Sequence, residues 1–209
     1  NSSGSIPGAL QNYGGLAGIA GISIPSNSDD NNSKKALEKL KSLSFFENQI
    51  LPSINLPNLM AVKSWDSKTD TIIYDDSVYD SKNKIWINNG SSEEVYKPSS
   101  QVSFWVFKEH IAIDEDSKTG FISLSVKHQS PFIAKKWAEL MIDKVNIYYR
   151  DKDKIESEKA LKYLNTRIAL TNFSEIKQSI ANLMQEETQK LTLIEAKRFY
   201  VFDYIDPPA

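Results

Sequence analysis

The sequence predicts an α+β protein: a mixed α/β base with a small, mainly antiparallel sheet, joined to a long extended helical arm or hairpin. Three observations carry this. Apolar residues repeat at helical spacing over 36–50 and again from 133 onward, the interval 59–126 holds short β-rich runs, and a β-rich run reappears at 199–205. Of the 209 residues, 40% are hydrophobic, 11% aromatic and 25% charged, a composition that supports a packed core rather than disorder.

The segment Gly14-Gly15-Leu16-Ala17-Gly18-Ile19-Ala20-Gly21-Ile22 is small and apolar, too short for a bilayer span and too glycine-rich for a stable helix. Phosphate-cradling glycine loops follow a strand and continue into Lys-Ser, Lys-Thr or a spaced glycine triad, which this segment lacks. Close backbone packing by Gly14, Gly15, Leu16, Gly18 and Gly21 is the expectation.

The polar run 26–33 predicts a turn that offers Ser33 as an N-cap. Ala36, Leu37, Leu40, Leu43, Phe46 and Ile50 then make one amphipathic helix closed by Pro52. Its Lys34, Lys35, Lys39 and Lys41 lack an aromatic belt, so a solvated face is favoured over lipid contact.

Ile72-Ile73-Tyr74, Ile85-Trp86-Ile87, Val102 through Phe107, Ile111-Ala112-Ile113 and Phe121 through Val126 read as strands. The last two are joined by a short loop ending in Gly120, which predicts an antiparallel hairpin. Ser130-Pro131 predicts a helix start. Ile133, Trp137, Leu140, Met141, Val145 and Tyr148 form its apolar face, and beyond the polar stretch 150–154 the stripe resumes at Leu161, Leu164 and Ile168. Asn172 with Glu175 suggests a capping box opening a second helix through Ile176, Ile180, Leu183, Leu191 and Ile194; one helix running through Thr171 is the alternative. The run 199–205 reads as a strand returning to the sheet, ended by Pro207-Pro208. The domain expectation is a base of 1–130 with 199–209 and a helical arm of 131–198.

The formal charge of −2, without a basic stripe, argues against nucleic-acid binding. The lack of cysteine excludes disulfides and thiol nucleophiles and disfavours structural zinc. His110 and His128 flank the hairpin without metal-ligand spacing, and no Gly-x-Ser-x-Gly elbow presents a serine. The acidic pairs and triplet at Asp75-Asp76, Glu93-Glu94 and 114–116 lack the glycine and terminal glutamate of a calcium loop and read as solvated turns. Trp65, Trp86, Trp105 and Trp137 suit sugar stacking in principle, but core packing is the expectation for most of them. No catalytic residue, metal or cofactor is expected.

Several strings, taken in order, resemble the Wzz-type polysaccharide co-polymerases, the chain-length determinants of bacterial surface glycans. They are the glycine-rich segment 14–21, Trp65-Asp66 followed by Tyr79-Asp80 and Trp86, then Ser117-Lys118-Thr119-Gly120, His128-Gln129-Ser130-Pro131, Ile133-Ala134-Lys135, 146–150 and Phe202-Asp203-Tyr204-Ile205-Asp206-Pro207. The resemblance implies a periplasmic domain held at the inner membrane by a helix on each side that this chain does not contain. It also implies a homo-oligomeric ring and a non-catalytic role in setting O-antigen or related glycan length, with the membrane glycan polymerase and the growing polysaccharide as partners. Two other readings stay open: an export protein linked to a cytoplasmic tyrosine kinase, and a glycan-binding sensor. Arg150, Lys154, Lys159 and Arg167, on the helix beyond its core stripe, are the candidate partner or glycan contacts; a solvated face with internal ion pairs is the plainer account.

Overall fold

The structure is a computed structural model that describes residues 29–87 and 97–208. The chain is α+β, with helices α1 (Asp29–Leu40), α2 (Leu56–Met60), α3 (Ser100–Glu109), α4 (Pro131–Leu170) and α5 (Ser174–Ala196). Strands β1 (Val62–Asp66), β2 (Thr71–Tyr74), β3 (Tyr79–Asp80), β4 (Ile85–Trp86), β5 (Ile111–Glu115) and β6 (Ile122–Val126) pair antiparallel as β1-β2, β3-β4 and β5-β6. The small sheet is thus realised as three two-stranded ribbons. Two compact units are distinguished: Ser33–Arg150 with Phe199–Ala209, hereafter the base, and a unit containing Asp151–Arg198. The forty-residue α4 contributes to the base up to Arg150 and to the other unit from Asp151.

The apolar core of the base gathers Ala36 and Leu40 of α1, Phe45, Phe46 and Ile50, Leu56 and Leu59 of α2, Phe107 of α3, and Trp137, Met141 and Val145 of α4. Trp137, Met141 and Val145 are buried at spacings of four, as the apolar stripe of α4 predicts. Ser130 stands ahead of Pro131 with its hydroxyl accepting from the Ile133 N–H at 3.4 Å, so the predicted start of this helix is found.

Four local expectations are corrected. The helix begins at Asp29, not after Ser33, because aspartates are themselves residues a helix N-terminus favours. It does not run on to Pro52 but breaks at Ser42, whose hydroxyl accepts from the Phe45 N–H and recaps a short helical stretch, Leu43–Phe45, which continues as a π-turn (Phe46–Ile50). The run Val102 to Phe107 is helical in α3: Ser99 caps it, and burying Ser103 and Phe107 on one face outweighs the β preference of its side chains. The run 199–205 forms no strand, since the N–H groups of Tyr200, Val201 and Phe202 are taken by one side chain, Asn146, rather than by a neighbouring strand.

All three ribbons turn on one repeated code. Asp66-Ser67-Lys68-Thr69-Asp70 joins β1 to β2, Asp80-Ser81-Lys82-Asn83-Lys84 joins β3 to β4, and Asp116-Ser117-Lys118-Thr119-Gly120 joins β5 to β6. In each, the leading aspartate accepts from the backbone N–H two residues on, at 2.9 Å (Lys68), 2.9 Å (Lys82) and 2.8 Å (Lys118). In each, the fifth residue adopts positive φ: 49° at Asp70, 56° at Lys84 and 71° at Gly120. The left-handed position lets the chain reverse within five residues, and only Gly120 adopts it without a Cβ penalty.

The other unit contains a helical hairpin. Helix α4 ends at Leu170, and α5 starts at Ser174 after Phe173, with no side-chain cap, so the hairpin alternative is the one adopted and Asn172 is not its cap. Ser157, Leu164, Ile180 and Ile194 are its buried residues, with Leu161, Ile168, Leu183 and Leu191 half-buried along the same stripes. Lys154 and Glu195 meet at 2.7 Å, which sets the two helices antiparallel.

Candidate functional site

The four basic candidates separate. Arg150 belongs to the base, whereas Lys154, Lys159 and Arg167 lie in the hairpin. At 100° per residue, Lys154 and Lys159 stand about 140° apart around α4 and Arg167 roughly 80° beyond Lys159. No single basic face results. Lys154 pairs with Glu195, whose hydrogen bond and negative charge raise the lysine above its ordinary range. The Arg167 guanidinium lies 5.8 Å from the centre of the Tyr163 ring one turn earlier, a cation–π arrangement. Lys159 is exposed. The expected internal ion pairs are represented by Lys152–Glu156 at 3.8 Å and by Lys190–Glu187 at 3.2 Å, where Glu187 is only 14% exposed on the inner stripe of α5.

What the hairpin presents outward is apolar as well as basic. Leu170, Phe173 and Ile176 flank its turn with exposures of 71%, 72% and 49%. Tyr163, Arg167 and Leu170 follow one another at i, i+4 and i+7, on one face of α4. Large apolar side chains concentrated at one place mark a surface suited to a partner. The apolar periodicity of α5 had assigned Ile176 to the inside, and nothing in that pattern singled out Phe173.

In the base, both histidine rings are hydrogen-bonded to the backbone. His110 Nδ1 donates to the Lys127 carbonyl at 2.6 Å, and His128 uses both nitrogens, toward the Asn58 carbonyl and the Ser130 N–H, each at 2.9 Å. Among the described residues no group of three or more His, Cys, Asp or Glu side chains converges. Asp75 closes a turn by accepting from the Ser77 hydroxyl and N–H, and those two bonds hold its carboxyl below the usual range. Asp116 does the same with Lys118 and Thr119, whereas Asp114 and Glu115 lie in β5 rather than in a turn, paired with Ser123 and Ile122 of β6. Glu93-Glu94 and the packing segment Gly14, Gly15, Leu16, Gly18 and Gly21 lie outside the described residues.

Of the tryptophans, Trp137 is in the core, and Trp65 and Trp86 are half-buried. Trp105 departs from the core expectation at 67% exposed, with the Lys108 ammonium 4.0 Å from its ring centre. The helical rather than extended backbone of α3 turns it outward while Phe107 points in.

Asn146 was not singled out by the sequence reading. It is 3% exposed within the apolar stripe of α4. Its Oδ1 accepts from the N–H groups of Tyr200, Val201 and Phe202 at 3.1, 2.7 and 3.0 Å, and its Nδ2 donates to the Phe202 carbonyl at 2.8 Å. A lone amide between Val145 and Ile147 was the available signal, because a polar group on a buried stripe requires partners. No helix among the described residues is long and apolar enough to cross a membrane. In comparisons with protein-family models, curated proteins and solved structures, no match to this chain was found.

Proposed function

We propose that this chain is a non-catalytic regulator of surface polysaccharide chain length, acting as an oligomeric periplasmic scaffold at the bacterial inner membrane for the membrane glycan polymerase or the growing glycan. The reading rests on the ordered strings that resemble the Wzz-type co-polymerases. The observation that supports it furthest is the antiparallel helical hairpin within Asp151–Arg198, which falls inside the helical arm expected over 131–198. Its exposed Leu170, Phe173 and Ile176, beside Tyr163 and Arg167, give such a scaffold a surface for a neighbouring copy or the polymerase. In a ring, weak contacts repeated on every copy add up to effective binding.

The test is the length pattern of surface polysaccharide in cells with and without the full gene. Collapse of a clustered range into a short, smooth distribution supports the regulator. Loss of all polymer points to an export protein coupled to a kinase. An unchanged pattern refutes the regulator and leaves a glycan-binding module, to be tested by titration with the cognate oligosaccharide.

A further inference from the structure

We propose that His128 is an acid-sensitive latch on the start of α4: neutral, it ties the first turn of that helix to α2, and protonated, it lets go. The hydrogen bonds define its state. A carbonyl only accepts, so the bond to the Asn58 oxygen at 2.9 Å requires a proton on Nε2. A backbone N–H only donates, so the bond from Ser130 N at 2.9 Å requires a lone pair on Nδ1. Both bonds coexist only in the neutral ring with the Nε2 proton. A second proton would have to sit on Nδ1, head-on against the Ser130 N–H, and one of the two must turn away.

Ser130 is where that disturbance matters. It is 2% exposed, its hydroxyl accepts from Ile133 N, and its carbonyl accepts from Ala134 N at 3.1 Å. Displacing it therefore loosens the first hydrogen bonds of α4. On the other side, Asn58 Oδ1 accepts from the Tyr74 hydroxyl, so the latch reaches from α4 through α2 to β2.

The surroundings oppose the charged form. Burial holds His128 below the usual histidine value, and His110 adds to this, its ring centre 6.0 Å away. The His110 Nδ1 donates to the Lys127 carbonyl. Trp137 from α4 packs edge-on against both rings and carries no charge. Asn58 and Tyr74 present a neutral amide and hydroxyl, and the side chain of Lys127 is exposed. The N-terminus of α4 adds its own partial positive charge. The sign follows from linkage: with the folded value depressed, the unfolded chain takes up the proton first. Stability is therefore full above the unfolded value of about 6.5 and is lost as pH falls through the folded one.

The experiment uses the whole chain. Imidazole 15N spectra of wild type read the His128 tautomer and titration, and amide exchange at Ile133 and Ala134, corrected for its intrinsic pH dependence, reads opening of the first turn. Expected are an Nε2-protonated His128 at pH 7.5 and a midpoint below that of an unfolded histidine. Opening should rise as pH falls from 7.5 to 5, by less than the roughly tenfold per unit that linkage permits. His128→Asn keeps an acceptor for Ser130 N–H as an Asx-turn and cannot titrate, so its opening should change less than about twofold. His110→Asn keeps the bond to Lys127 and should move the wild-type response to higher pH. An Nδ1-protonated ring at pH 7.5, a midpoint at or above the unfolded value, or a full acid response in His128→Asn overturns the proposal; if His128→Asn does not fold, the wild-type tautomer and midpoint decide.

Discussion

Replacing Asn146 by alanine removes the side chain that holds the returning segment of the base. Four hydrogen bonds are lost, three of them from the N–H groups of Tyr200, Val201 and Phe202. These residues are half-buried, so water replaces part of what is lost. At about 1 kcal/mol for each unmade bond, the expected destabilisation is about 3–4 kcal/mol. Asn146→Asp separates the two roles of the amide: one oxygen still accepts from the three N–H groups, while the other now faces the Phe202 carbonyl. It should cost about half as much. All four tryptophans lie in Ser33–Arg150, so urea unfolding followed by their fluorescence reports the base. Amide exchange at 200–202 tests the local bond directly and should quicken by roughly two to three orders of magnitude in Asn146→Ala. A loss under about 1 kcal/mol with protection of those amides retained would refute the assignment.

Further tests follow from the turns and the hairpin. Lys84→Gly relieves a left-handed backbone and should stabilise the β3-β4 ribbon by about 0.5 kcal/mol, net of the extra freedom of the unfolded chain. Gly120→Ala should cost about 1 kcal/mol from backbone strain alone, because an added Cβ meets nothing within 4 Å. Asp70→Gly should gain less than Lys84→Gly, since the Asp70 carboxylate accepts from the Trp65 indole N–H at 2.8 Å; urea midpoints rank the three. Glu187→Leu, which places an apolar side chain on the inner stripe of α5, should raise hairpin stability by about 1 kcal/mol, read by helical circular dichroism. Carbon-13 titration should find Asp66, Asp75, Asp80 and Asp116 all below the normal carboxylate range, with Lys68 N–H, the Ser77 hydroxyl, Asn83 N–H and Lys118 N–H respectively as leading causes. Their stabilisation is present above about pH 3.9 and disappears as pH falls through the depressed values; normal values would contradict the turn geometry.

The α4 face, its Ser130-Pro131 start and the β5-β6 hairpin were legible because each is encoded locally, by period, cap and turn residues. The α3 run was not: Val102 through Phe107 is apolar without alternation, so its length and composition fit a buried strand as well as a helix, and only packing of Ser103 and Phe107 decides. The three Asp-Ser-Lys turns stood in the sequence, but two carry Asp70 and Lys84 where glycine would signal the left-handed residue. The run 199–205 misled because β-favouring side chains report a tendency to extend, while the partner that takes its N–H groups, Asn146, is more than fifty residues away. At the hairpin, spacing located the inner stripes yet could not show that Leu170, Phe173 and Ile176 would be left uncovered.

The Asn146 clamp also separates length from stability. Chain leaves the base after Arg150 and rejoins it at Phe199, and one side chain four residues before the departure grips the return. For the base, the hairpin is a loop whose ends are already fastened. Removing a heptad from each helix would alter the entropy of closing that loop by only a few tenths of a kcal/mol, roughly, because closure depends on the logarithm of length. Shortened or lengthened hairpins can therefore be carried by an unchanged base, making hairpin length adjustable without loss of the fold that closes it.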